Sequence, residues 1–148
     1  MKIYTDGSAR PTNPGPGGLA IVVCDDNDNV LTTIGHESRW TTNNAMELAA
    51  IVAAMALYGN EGLDLTIYSD SAYAINSLTI WSHSWRQNGW VKSDGKEPEN
   101  LRIIMQYHAL LDYGYRANIQ KVKGHSTCRG NQLADLIASG KQKAEVII

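Results

Sequence analysis

A mixed α/β sheet with helices packed on its faces is predicted by three observations. The chain opens with three β-like segments joined by loops, continues with a long Ala-, Leu- and Met-rich segment of helical period, and then alternates strand-like with helix-like stretches. Residues 2–5 (Lys-Ile-Tyr-Thr), 18–24 and 30–37 form the first group; a loop rich in Pro and Gly separates the first two, and the turn Asp25 to Asn29 marks a hairpin between the others. Thr41 or Thr42 caps a helix running from Asn44 to Tyr58, which Gly59 ends. Leu63 to Tyr68 reads as a short strand. Helical pieces follow from Ser71 to about Leu78 and from about Ile80 to Asn88, and the ten residues from Trp90 to Glu99 read as an exposed loop. Asn100 to Asp112 is predicted helical, Tyr115 to Val122 a strand, and Gln132 to about Glu145 a closing helix.

At 148 residues with 43% hydrophobic side chains, the chain suits one domain with a buried core, and residues 1–148 are read as a single unit. No apolar run approaches the roughly 18–20 residues of a membrane span. The stretch from Met1 to Asp6 lacks the pattern of a signal peptide, so a cytoplasmic protein is expected. Cys24 and Cys128 are far apart and in no CxxC arrangement, which argues against a disulfide framework or a zinc site.

Four acids occupy positions where solubility does not require them. Asp6 is expected to end the first strand, Glu47 to lie in the first turn of an apolar helix, Asp70 to end the fourth strand, and Asp135 to lie in the first turn of the last helix. Strand ends and neighbouring helix starts can converge on one patch, and gathered carboxylates repel unless a cation neutralises them. Oxygen ligands favour Mg²⁺ or Mn²⁺ over zinc, and two such ions roughly 4 Å apart can stabilise both oxygens of a phosphodiester displacement. Each acid also has a plainer reading: turn residue, helix-terminal charge, N-cap and surface charge, respectively. The net charge of -2 is no obstacle to a polyanionic partner. Removing four metal-bound acids from 15 leaves 11 against 13 basic residues.

Five blocks carry a resemblance across nearly the whole chain: Tyr4-Thr-Asp-Gly-Ser8, Asn13-Pro-Gly-Pro-Gly-Gly18, Thr41-Thr-Asn-Asn-Ala-Met-Glu-Leu48, Ser69-Asp-Ser-Ala-Tyr73, and Lys123-Gly-His-Ser126 with Gly130-Asn-Gln-Leu-Ala-Asp135. Their order and spacing resemble the type 1 ribonuclease H family, in the bacterial-like form without an N-terminal hybrid-binding domain. The resemblance implies a five-stranded mixed sheet of order 3-2-1-4-5. It also implies an endonuclease that cuts the RNA strand of RNA·DNA hybrids with two Mg²⁺ ions, leaving 5′-phosphate and 3′-hydroxyl ends.

Position by position, Asp6, Glu47, Asp70 and Asp135 match the family's metal-binding acids. Asp6 would bridge both ions, Asp135 would complete the water-activating site, and Glu47 and Asp70 would hold the ion on the leaving-group side. His125 matches a histidine that assists proton transfer or product release, whereas His36, His83 and His108 are read as structural. Asn13, Asn43 and Asn44 match minor-groove contacts, with turn and cap chemistry as the alternative; Thr42 and Asn100 match a pocket for a DNA phosphate. Some relatives complete that pocket with an arginine where this chain has Trp40, a place Arg39 could fill. The segment Trp81 to Lys96 resembles the family's basic protrusion, with Trp81 and Trp85 expected against the hybrid. Its Arg86, Lys92 and Lys96 are offset by Asp94, Glu97 and Glu99, so weaker hybrid affinity and a shallower salt dependence than in a strongly basic relative are expected.

Two other classes compete. A DNA-strand nuclease of the same broad fold would cut DNA instead, and a catalytically dead module would bind hybrids without turnover in Mg²⁺. The start at Met1, directly before the first strand, is read as that of a free-standing monomeric enzyme without protein partners rather than a domain of a reverse transcriptase.

Overall fold

Local hydrogen bonding fixes the predicted hairpin. One Asp25 carboxylate oxygen accepts from the backbone N–H groups of Asn27 and Asn29, both at 2.9 Å, and Asp28 takes a left-handed φ of 62°. In the computed structural model, which describes residues 1–60, 64–122 and 128–148, this turn joins β2 (Gly15–Cys24) to β3 (Val30–Thr41), and β2 pairs in turn with β1 (Lys2–Ala9). Helix α1 (Asn43–Tyr58) starts where Thr42 Oγ1 accepts from the Ala45 N–H at 3.1 Å, and it ends at Gly59, as expected. Next come β4 (Thr66–Ser69), α2 (Ala72–Asn76), a π-helical turn at Ser77–Trp81, and α3 (Ser82–Gln87). Helix α4 (Leu101–Asp112), β5 (Asn118–Lys121), α5 (Arg129–Ala138) and β6 (Val146–Ile147) complete the order.

The sheet runs β5-β4-β1-β2-β3-β6, antiparallel among β1, β2 and β3 and parallel elsewhere. The expected order 3-2-1-4-5 is present without interruption, with β5 at one edge. The sixth strand is an addition, and its cause lies in the last helix, which stops at Ala138 rather than near Glu145. Gly140 takes φ +79°, its N–H donates to the Ile137 carbonyl at 3.1 Å, and the Lys141 N–H donates to Leu136 at 2.9 Å. This left-handed glycine cap turns the tail back onto the outer edge of β3. The two helical pieces expected between residues 71 and 88 are continuous, because the π turn carries the chain between them without a break.

Burial follows strand alternation. On β2, Leu19, Ile21 and Val23 join Ile3, Leu48, Ile51, Met55, Ile67 and Ile104 in a core under α1 and α4, while Ala20, Val22 and Cys24 face the opposite side with Tyr4, Ala134 and Ile137 of α5. Among the described residues, no helix is long and apolar enough to cross a membrane.

Two features shape one end of the sheet. Strand β4 pairs with β1 only over Lys2 to Tyr4, so the rest of β1 runs past the end of β4 and leaves a notch. Strand β1 also lies unusually close to α1 there, since a Cβ on Gly7 would fall 2.2 Å from the Met46 carbonyl carbon. Gly7→Ala is therefore expected to cost about 2–3 kcal/mol. Gly95→Ala, where φ is +82° and the surroundings are open, is expected to cost about 1 kcal/mol. Urea unfolding of both variants checks this, and equal costs would refute the close approach.

Candidate active site

Three of the four predicted acids meet in the notch. Asp6 lies within β1, opposite Ala20, rather than at its end, because pairing with β2 continues to Ala9. Glu47 is the fifth residue of α1, one residue further in than expected, because the helix starts at Asn43. Asp70 directly follows β4. Carboxylate oxygens of Asp6, Glu47 and Asp70 all lie within 4.8 Å of one another. Asp135 lines the same cavity of about 320 Å³ but stands at its rim, exposed, on the seventh residue of α5, since that helix begins earlier than predicted.

Asp6 and Glu47 are 8% and 7% exposed, so water screens neither of them well. The Gly7 N–H serves both, donating to Asp6 Oδ1 at 2.9 Å and to Glu47 Oε1 at 2.7 Å. Ser69 Oγ lies 3.4 Å from Glu47 Oε2, with the hydroxyl donating. Burial pushes the Asp6 carboxyl up to about 6, with the charges of Asp70 and Asp135 adding to it; hydrogen bonds from Glu47 and the Gly7 N–H act against the rise. Burial raises Glu47 further still, helped by its hydrogen bond to Asp6 and by the charges of Asp6 and Asp70. At neutral pH one proton therefore stays on Glu47 unless a cation replaces it. Three clustered oxygen donors of this kind suit a hard divalent cation such as Mg²⁺ or Mn²⁺, and soft ligands are absent from the described cluster.

The predicted substrate contacts fall into two groups. Asn13, Thr42, Asn44 and Asn100 line one cavity of about 480 Å³, together with Pro14 and Glu99. Asn43 instead lines the acid cavity. Its Oδ1 accepts from the Ala9 N–H at 2.7 Å, and Asn13 Oδ1 accepts from the Asn43 N–H at 3.1 Å. The two amides thus stitch the β1–β2 loop to the start of α1. Asn100 takes a left-handed φ of 59° and donates from Nδ2 to the Tyr73 hydroxyl at 3.2 Å. Trp40 is 70% exposed at the place where some relatives carry arginine, and neither it nor Arg39 lines the Thr42 cavity.

In the protrusion the rings of Trp81 and Trp85 lie 6.4 Å apart. Trp81 is exposed, whereas Trp85 and Trp90 pack partly against the core. Arg86 is engaged three times, in hydrogen bonds of 3.0 and 2.7 Å to Asp112, with Nη1 3.4 Å from His108 Nδ1, and over the ring of Trp90 at 6.0 Å. His108 is buried, with Nε2 2.8 Å from Ser82 Oγ, and burial holds its pKa down at about 4. That agrees with a structural role. His125 lies outside the described residues.

Sequence reasoning missed Gly7 and Ser69 as partners of Glu47, and Arg10 as a neighbour of Asp135. The Asp-Gly dipeptide was a usable signal for Gly7. Nothing in the sequence pointed to Ser69 or Arg10.

Known proteins resemble this chain in sequence and in fold. The family model described as RNase H matches residues 1–143. Ribonuclease H of Ehrlichia chaffeensis is 36% identical over 136 residues, covering 92% of this chain and 90% of that protein. The solution structure of the PFV RNase H domain has a TM-score of 0.80 at 25% identity, covering 99% of this chain and 95% of that one. The crystal structure of LC11-RNase H1 in complex with RNA/DNA hybrid shares the fold, with a TM-score of 0.63 at 24% identity over 90% of this chain and 93% of its own. With the match running from the first strand past the last helix, the chain belongs to the ribonuclease H family.

Proposed function

We propose that residues 1–148 act as one monomeric, cytoplasmic domain that hydrolyses the RNA strand of RNA·DNA hybrids internally, leaving 5′-phosphate and 3′-hydroxyl ends. The observation that carries this reading is the convergence of Asp6, Glu47 and Asp70 at one end of the sheet, with Asp135 on the same cavity. A relative of the same fold, LC11-RNase H1, is known in complex with an RNA/DNA hybrid.

These four acids are the groups that would hold two Mg²⁺ ions, with Mn²⁺ as a substitute. Such ions supply electrostatic stabilisation of the attacking and leaving oxygens at a phosphodiester. The protein's own part is positional. The Gly7 N–H orients Asp6 and Glu47 together, and Ser69 fixes the second oxygen of Glu47. The NH₂ groups of Asn13 and Asn43, with Asn44, supply donors for the acceptors of a shallow minor groove, where a 2′-hydroxyl distinguishes RNA from DNA. Thr42 and Asn100 sit across one cavity that could seat a DNA phosphate, although Glu99 in its wall makes that grip weak. The exposed Trp81, with Trp85 behind it, offers an aromatic surface to the hybrid. His125 is assigned to proton transfer or product release.

A hybrid labelled on each strand in turn and incubated with Mg²⁺ tests the assignment. Cleavage of the RNA strand alone is expected, and Asp6→Asn should slow it by about 1,000-fold or more. Hybrid that is bound yet uncut in both Mg²⁺ and Mn²⁺ would instead establish a binding module, and a cut DNA strand would establish a DNA nuclease.

The buried acids also predict how stability responds to pH. The folded pKa of Asp6 exceeds its ordinary 3.8, and that of Glu47 its ordinary 4.5, so the native state keeps protons that the unfolded chain has released. Stability without metal should therefore fall as pH rises from about 4 through 6, and go on falling as Glu47 titrates. Mg²⁺ should flatten the decline, and Glu47→Gln should raise the urea midpoint in EDTA near about pH 8. A midpoint that climbs with pH in EDTA across this range would contradict the shared-proton description.

A further inference from the structure

The loop between β1 and β2 places a cation beside the acids. Arg10 follows Ala9, whose N–H is held by Asn43, and its own N–H donates to the Pro16 carbonyl at 2.8 Å, so its backbone is tied on both sides. Its Nη2 lies 3.8 Å from Asp135 Oδ1, with the two side chains 52% and 56% exposed. An ion pair this long and this well solvated contributes little to stability and is easily exchanged. It leaves a guanidinium, with its fork of donors, at the rim of the acid cavity.

Arg10 and Ser8 also line a second cavity of about 280 Å³ that adjoins the first, and Arg10 is the one cationic residue among the described residues lining either. The walls of this second cavity carry hydroxyls whose protons are already engaged. Ser8 Oγ donates to the Ala138 carbonyl at 3.3 Å, Ser38 Oγ to Trp40 at 3.2 Å, and Ser139 Oγ to Leu136 at 3.2 Å. What remains on each oxygen is acceptor capacity, which suits the hydroxyl of a ribose and not a phosphate. Glu37 and the carboxyl end of α5 on the same walls repel a phosphate further.

Resting on the reading of the site as a hybrid nuclease, we propose that Arg10 binds the RNA-strand phosphate next to the scissile one. The ribose attached to that phosphate then occupies the serine-lined cavity, and Arg10 gives up Asp135 when a divalent cation takes that carboxylate. Removing the guanidinium therefore has opposite effects on the two ligands. Substrate loses a phosphate contact, while the cation gains a carboxylate without a competing positive charge.

Arg10→Ala and Arg10→Lys, compared with the wild-type protein, test this. Anisotropy of a labelled hybrid in EDTA, over a series of salt concentrations, should show Arg10→Ala binding roughly 10-fold more weakly, with a slope of log Kd against log salt shallower by about 0.7–0.9. Arg10→Lys should keep the slope. Titration calorimetry with Mg²⁺ alone should show Arg10→Ala binding the ion more tightly than wild type. An unchanged slope overturns the proposal, and so does a parallel weakening of hybrid and Mg²⁺ together with a lowered melting temperature, since that pattern belongs to a structural role. If wild type cuts the RNA strand while the Arg10→Ala slope is unchanged, only the role of Arg10 falls. If wild type neither binds nor cuts the hybrid, the functional reading falls and takes this one with it.

Discussion

The Gly7 N–H, shared between the carboxylates of Asp6 and Glu47, is the interaction on which the rest of the site depends. Two acids so buried cannot both ionise in a low-dielectric pocket without a partner, and one backbone donor is too little to neutralise them. Reaching both acids at once requires β1 and α1 to approach more closely than any side chain at position 7 allows. On the buried side of α1, Ala50 and Ala54 stand among Leu48, Ile51, Val52 and Met55, and Glu47 is the one buried charge there. A bulkier helix would stand off from β1 and separate the acids.

A mismatch of strand lengths supplies the second requirement. Strand β1 has eight residues and β4 has four, and their pairing ends at Tyr4 and Tyr68. Were β4 to continue alongside β1, Asp70 would enter the ladder and the space beside Asp6 would be filled by backbone. Because β4 stops at Ser69, its last side chain turns to Glu47 and Asp70 begins the connection to α2. Three elements far apart in sequence thus present oxygen atoms to one volume. The site is a consequence of where the sheet ends.

Much of this was legible in the sequence, for identifiable reasons. The hairpin at Asp25 to Asn29, the Thr42 cap and the Gly59 stop rest on local chemistry, and local chemistry survives into the fold. The convergence of Asp6, Glu47 and Asp70 was not legible from these residues singly, since each had a sound plainer reading. It followed from five blocks in order. The sixth strand was hidden because a two-residue pairing has no periodicity, and the end of α5 was overrun because the glycine signal at Gly140 was outweighed by the helix formers after it. The loop ties made by Asn13 and Asn43 are the turn and cap chemistry of their plainer reading. Each amide oxygen holds a backbone N–H, and the two residues line different cavities, Asn43 that of the acids and Asn13 that of Thr42. The pairing of Arg10 with Asp135 joins positions 10 and 135 and left no trace in either local pattern.

The charges around the acids divide by burial into two kinds. Asp6 and Glu47 have fixed geometry, few degrees of freedom and strongly altered protonation, so any cation they meet is held by a prepared site. Asp135 and Arg10 are long-range neighbours in water, held at 3.8 Å by an interaction that solvent nearly cancels. A site for a charged polymer benefits from having both kinds. Rigid acids keep the reacting centre in place at no further ordering cost, whereas an exchangeable pair at the rim can change partners as the polymer arrives. The protrusion follows the same division: Arg86 is locked between Asp112 and Trp90, and the exposed Trp81 remains available at its surface. With Arg86 engaged by Asp112, the charge of that arginine is largely offset within the protein. Among the described residues that line the acid cavity, Arg10 is the one cation, and its exchangeable pairing leaves it free to meet an incoming negative charge.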